Sequence, residues 1–283
     1  MDLAIRRMQR ADLDLVLDWG AAEGWNPGLN DADAFFNVDP DGFFLATIDG
    51  KPVGGLAAVA YDDQFGFMGL YVVQPEYRGH RVGIELGKVG CAHLGSRTVG
   101  LDDVAAKQAH YRTWGFELAY RILRYEGVGG AVESPIDDVP VCLVDFSAMP
   151  LGELTEYDSQ IFPADRSRFL QSWVCQPGAR SLGLVRQGRM AAYGVLRPCR
   201  TGYKIGPLMA DDLLLAEILF QEFTAAAGGE LVYLDVPEPN ASAVLMAQRH
   251  GMRPVLETAR MYAGPPPVTD LSRLFGVTTL ELG

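Results

Sequence analysis

The run Leu3 to Met8 predicts a short strand, and Leu13, Val16 and Leu17 then recur at helical spacing, so an amphipathic helix follows and continues toward Trp19. A glycine-broken stretch from Gly20 to Leu29 interrupts that pattern. Two apolar runs, Phe43 to Ile48 and Val53 to Tyr61, flank Asp49-Gly50-Lys51-Pro52, and Asp-Gly supplies the positive-φ pair of a tight turn, which predicts a hairpin. A second hairpin passes through Asp62-Asp63 into Phe65 to Val73. Beyond Pro75 the pattern predicts a basic loop, a helix from Gly83 to His93, a strand Thr98 to Leu101, a helix Val104 to Thr113, and a strand Phe116 to Tyr125 that completes this half.

The segment Gly127 to Pro140 has no apolar period and reads as a linker. After it the order partly repeats: strand Val141 to Asp145, a helix around Arg166 to Trp173, strands Ser181 to Arg186, Met190 to Arg197 and Tyr203 to Ile205, a helix Asp211 to Ala227, strand Leu231 to Val236, a helix Asn240 to His250 and a strand near Pro254 to Tyr262. Two copies of one α/β architecture is the economical reading, with a mixed, mostly antiparallel sheet flanked by helices in each. The tail after Gly264-Pro265-Pro266-Pro267 is too apolar at Leu271 to Phe275 and Val277 to Leu282 to float free.

Composition adds limits. A chain of 283 residues with 48% hydrophobic and 21% charged residues is an ordinary globular protein of about two domains. Its formal charge of −12 is spread evenly, with 12 basic and 18 acidic residues on each side of residue 130. That balance argues against nucleic acid and anionic membranes as partners and suits a neutral or cationic small molecule. Cys91, Cys142, Cys175 and Cys199 form no C-x-x-C pair, and the four histidines fall at no metal-ligand spacing, so neither a disulfide framework nor a metal site is expected. No long apolar run precedes or interrupts the pattern, which reads as a cytoplasmic chain.

The segment Gln74-Pro75-Glu76-Tyr77-Arg78-Gly79-His80-Arg81-Val82-Gly83 carries the chemistry: a strand ends, and a basic, small-residue loop opens directly into a helix. Free N–H groups and the positive end of the dipole make such a helix start a phosphate site, to which Arg78 or Arg81 adds charge. Here the chain resembles the GNAT superfamily of N-acetyltransferases, whose pyrophosphate loop reads Arg/Gln-x-x-Gly-x-Gly/Ala. Arg78 and Gly83 match its ends, while Arg81 stands at the middle glycine, where a right-handed helical conformation is expected to turn its N–H toward the anion.

The resemblance implies acetyl-CoA as cofactor, held by Leu70, Tyr71, Val72 and Val73 along the pantetheine arm and by Arg78, Gly79, His80, Arg81, Val82 and Gly83 at the pyrophosphate. It implies that the strand Gly66 to Val73 splays from Thr98 to Leu101, and that a backbone N–H near Tyr71 or Val72 stabilises the oxyanion. His110-Tyr111-Arg112-Thr113-Trp114-Gly115-Phe116 resembles the family's closing motif, which makes Tyr111 the general acid for the departing thiolate; a half-buried packing role is the alternative.

The second half resembles the same superfamily without Arg-x-x-Gly-x-Gly and with Ala247 where the tyrosine would stand, though Asn240, Ala243 and Gly251-Met252 keep the spacing. The pair resembles a tandem-domain subfamily, with a catalytic domain at 1–128, a linker at 129–140 and a degenerate domain at 141–283 that shapes the acceptor pocket or a homodimer interface. In the Glu23 to Leu29 stretch Glu23 is the candidate base, with Trp25 and Asn26 on the substrate. Asp102 and Asp103 are alternative bases, and Asp235 and Arg260 either face a pocket or pair with each other. The implied activity is acetyl transfer to the amine of a small molecule by direct attack in a ternary complex; the alternative is a CoA-binding sensor or scaffold without turnover.

Overall fold

The computed structural model describes residues 2–104, 107–130, 139–146 and 151–283. Its first half runs β1 (Leu3–Arg7), α1 (Arg10–Ala22), α2 (Asp31–Val38), β2 (Phe43–Ile48), β3 (Lys51–Ala60), β4 (Phe65–Val73), α3 (Val82–Leu94), β5 (Thr98–Val104), α4 (Gln108–Arg112) and β6 (Phe116–Val128). The second half runs β7 (Val141–Asp145), α5 (Leu151–Asp158), α6 (Ser167–Trp173), β8 (Arg180–Arg186), β9 (Arg189–Pro198), β10 (Tyr203–Ala210), α7 (Leu213–Ala226), β11 (Leu231–Pro237), α8 (Ala241–Arg249), β12 (Arg253–Ala263) and β13 (Leu274–Gly276). The first hairpin turns as its sequence demands, with Asp49 at φ 50° and Gly50 at φ 79°. The linker expected over 129–140 lies largely outside the described residues.

The strands form one thirteen-stranded sheet in the order β1-β2-β3-β4-β5-β12-β6-β11-β10-β9-β8-β7, with β13 paired to β10. The last strand of each half is exchanged. β6 does not complete its own half: it lies between β12 and β11, while β12 lies between β5 and β6. Packing agrees with the exchange, because Ala259 and Met261 of β12 sit in the core of the first half and Tyr125 of β6 in that of the second.

The exchange carries two reciprocal ion pairs. Arg124 of β6 donates to Asp235 of β11 through Nε and Nη2 at 2.7 and 2.8 Å, and Arg260 of β12 donates to Asp102 of β5 in the same way at 2.6 and 2.7 Å. Asp235 and Arg260 therefore do not pair with each other. Each pair is buried and bidentate, the geometry in which an arginine and a carboxylate compensate most of each other's desolvation.

The sheet parts at two places. β4 and β5 are parallel from Phe65 opposite Thr98 to Met68 opposite Leu101, and then separate. β10 and β11 are parallel from Tyr203 opposite Val232 to Ile205 opposite Leu234. Beyond that point β10 turns to the tail, pairing Leu208 with Gly276 and Met209 with Leu274, and the Val277 N–H donates to the Asp235 carbonyl at 2.9 Å. Asn240 secures this insert: its Oδ1 caps α8 by accepting from the Ala243 N–H at 3.1 Å, while its Nδ2 donates to the carbonyls of Ser272 and Leu274.

Candidate active site

Past Met68, β4 bulges. Its register against β3 shifts between Gly55 and Ala57, and Leu70 takes the left-handed conformation, φ 46°. The bulge is held from the side by Tyr71, whose hydroxyl donates to the Gly83 carbonyl at the start of α3; burial raises the Tyr71 phenol to about 12, so it stays protonated. The splay expected between β4 and β5 is thus present, with Leu70 to Val73 along one side.

The loop into α3 presents an uncapped helix start. No side chain caps α3, so the N–H groups of its first turn lack intrahelical partners. Arg81 is the N-cap and adopts φ 62°, ψ −2°. That is left-handed, not the right-handed conformation expected of it, and it is the conformation a glycine at this position adopts without cost. The Arg81 side chain is exposed beside Glu85, His80 is exposed, and Val82 is buried, so Val82 offers an anion only its backbone. Arg78 donates from Nε to the Val73 carbonyl at 2.9 Å and from Nη2 to Glu23, which ties the loop to the end of α1.

A groove of about 480 Å³ runs along Tyr71 to Val73, Tyr77 to Gly79, Arg81, Gly83 and Ile84 and ends at Tyr111. It shares Glu23, Trp25, Tyr71 and Tyr111 with a deeper cavity of about 130 Å³. The cavity's remaining walls are Met68 to Leu70, Leu101 to Val104, Arg124 of β6, Leu256 and Thr258 of β12, and Leu280 and Glu281 of the tail. The exchanged strand β12 and the tail thus build the far wall of a cavity in the first half.

Tyr111 is buried where groove and cavity meet, and its hydroxyl donates to Asp103 Oδ2 at 2.6 Å. Burial first, and then the Asp103 carboxylate, push the phenol well above its ordinary pKa. It is a hydrogen-bond donor at any physiological pH. Asp102 accepts from Arg260, though burial still raises its carboxyl to about 6, and Glu23 forms a half-exposed ion pair with Arg78; both line the cavity.

Trp25 does line the cavity, with its indole over Gly20, and its carbonyl accepts from Arg124 Nη1 at 2.9 Å and Lys204 Nζ at 3.0 Å. Asn26 does not line it. Both ends of its amide bond the backbone of Thr201, at 2.9 Å each, with the residue at φ 54°, so it clamps the end of α1 to the second half and lines an adjoining pocket with Gly24, Arg124 and Leu256. Sequence reasoning missed Glu281 and Lys204. The only cue to the first was the apolar tail that had to dock somewhere.

Among the described residues no helix is long and apolar enough to cross a membrane, and no cluster of three His, Cys, Asp or Glu side chains is arranged to hold a metal ion.

These features define an acyltransferase: the chain belongs to the GNAT acetyltransferase superfamily and carries two such domains in tandem, matched by the GNAT acetyltransferase family model over residues 8–116 and by a GNAT acetyltransferase domain model over 154–276. Over 272 residues, 95% of this chain and 90% of the other, it is 29% identical to the holothin acyltransferase of a Pseudoalteromonas species. Among solved structures it is similar in fold to a protein of Pyrococcus horikoshii, with TM-score 0.81 and 24% identity over 99% of this chain and 96% of that one. It is also similar to a tandem GNAT protein from the clavulanic acid biosynthesis pathway, with TM-score 0.63 and 16% identity over 94% of this chain and 100% of that one.

Proposed function

We propose that the chain is an acetyl-CoA-dependent N-acyltransferase that acetylates the amine of a small molecule, with both reactants bound at once. The observation that carries this reading is the open splay of β4 from β5, flanked by an uncapped helix N-terminus at one end and by Tyr111 and a cavity at the other. The edge of β4 beyond Met68, no longer paired with β5, suits the amides of a pantetheine arm, which adds to a free sheet edge as a strand does. Arg78, Gly79 and the N–H groups from Arg81 to Gly83 suit its pyrophosphate. When bound, acetyl-CoA supplies the thioester acetyl group and a thiolate leaving group.

The chain's own residues account for the rest. Tyr111 holds a proton at the junction of groove and cavity, given to Asp103 in this structure, and protonates a thiolate there by turning its hydroxyl away from that carboxylate. The cavity of about 130 Å³ suits a small reacting end on the acceptor, and Glu281, the carboxylate of its wall with an unpartnered oxygen, suits an ammonium group. Thiol release from acetyl-CoA in the presence of a panel of small amines, with mass spectrometry of the product, tests the reading. An acetylated amine is expected. Saturable CoA binding with no release on any amine contradicts it and favours a sensor.

A further inference from the structure

The tail that fills the second opening of the sheet goes on to deliver one acidic side chain to the first. After β13, Thr279 Oγ1 accepts from the N–H groups of Glu281 and Leu282 at 3.2 and 2.9 Å, and the Leu282 carbonyl accepts from Tyr61 at 2.7 Å. Glu281 is thereby pressed against the bulged strand. A Cβ on Gly69 would stand 1.9 Å from the Glu281 carbonyl oxygen, so only glycine fits there. A glycine inside a strand weakens it, and this close approach explains its presence.

Glu281 is 4% exposed, lines the cavity, and has a buried Oε2 with no hydrogen-bond partner among the described residues. The other carboxylates of the wall are engaged: Glu23 accepts from Arg78, Asp102 from Arg260 and Asp103 from Tyr111. A buried carboxylate oxygen left without a donor is costly; Glu281 lines the cavity, and a turn of its carboxylate brings Oε2 to a donor that enters there. The charges acting on Glu281 are Arg124 of β6, Arg197 of β9 and Lys204 of β10 on the positive side and Asp102 of β5 on the negative.

We propose that Glu281 is the proton acceptor of the transfer, binding the substrate's ammonium group through Oε2 and taking one proton from it. The proposal rests on the N-acyltransferase reading of the same cavity and assigns its base to the wall carboxylate with an unpartnered oxygen in place of Glu23, which is paired with Arg78. The ammonium N–H bond breaks, its electron pair stays on nitrogen as the attacking lone pair, and the proton passes to Oε2 and then to solvent. The second proton that nitrogen loses on becoming an amide matches the one the thiolate gains, so one proton per turnover leaves through Glu281.

The test is Glu281→Gln in the full chain, which keeps the shape and removes the base. At pH 7 its kcat/KM for the amine is expected to fall about 100-fold, within the usual range for a general base. The calorimetric Kd for acetyl-CoA stays at its wild-type value, the thermal midpoint falls because three buried cations lose a counter-charge, and activity recovers tenfold per pH unit toward the amine's own pKa. Glu281→Asp, which keeps the charge one methylene short, loses less than tenfold and retains the wild-type pH profile. Wild-type activity in Glu281→Gln, a loss of equal factor at every pH, or equal losses in the Gln and Asp variants would each overturn the proposal while leaving the acyltransferase reading intact. Absence of thiol release by the wild-type chain with every amine overturns both.

Discussion

Between β4 and β5 the sheet parts after Met68 and Leu101, and the gap opens onto a groove and a cavity. Between β10 and β11 it parts after Ile205 and Leu234, and there β13 lies in the gap, hydrogen-bonded to β10 on one side while Val277 reaches Asp235 on the other. The same parting leaves unpaired backbone groups in both halves. In one they face the groove and the cavity; in the other the protein satisfies them with its own tail. The difference teaches how a duplicated domain changes work: the segment that closes the second slot continues across the molecule and becomes a wall of the first.

The strongest way to break this comparison is at the exchanged strands. Asp102→Asn leaves Arg260 buried without its charge partner, and Asp235→Asn does the same to Arg124, so each is expected to cost about 3 kcal/mol in urea-induced unfolding. Equal losses sharpen the account of two equivalent halves; a loss below about 1 kcal/mol at either contradicts a buried, compensated pair. Next in size, Tyr111→Phe at the open slot is expected to lower kcat about 30-fold with little change in the KM for acetyl-CoA. A wild-type kcat returns that residue to packing.

Arg78→Glu is expected to weaken acetyl-CoA binding at least tenfold, or about 1.4 kcal/mol, by calorimetry. It also sets two carboxylates together at Glu23, so unchanged affinity would show that the anion sits elsewhere. The smallest effect is at the loop: Arg81→Gly relieves a left-handed non-glycine residue and is expected to stabilise the chain by about 1 kcal/mol. A destabilised Arg81→Gly would mean that its side chain contributes more than its exposed contact with Glu85 suggests.

Much of the first half was legible because its signals are local. Asp49-Gly50 specifies a hairpin whatever surrounds it, and the basic loop before Val82 announces a helix start that lies where expected. Strand partners were not legible: apolar periodicity tells which face of β6 or β12 is buried, and that face is the same whether the strand joins its own half or the other. The Asp235 and Arg260 pairing failed for this reason. The clamp that Asn26 makes was equally hidden, because its partner Thr201 lies 175 residues away. The conformation of Arg81 ran against its residue type, as happens where a loop's geometry is set by its task rather than by local preference. Glu281 had no motif at all, since its place depends on β13 and on the absence of a side chain at Gly69.

Calorimetric titration of the full chain with acetyl-CoA measures how many slots are open. The account predicts one molecule bound per chain, with that single site weakened in Arg78→Glu. Two molecules per chain, or one whose affinity is indifferent to Arg78, would contradict it.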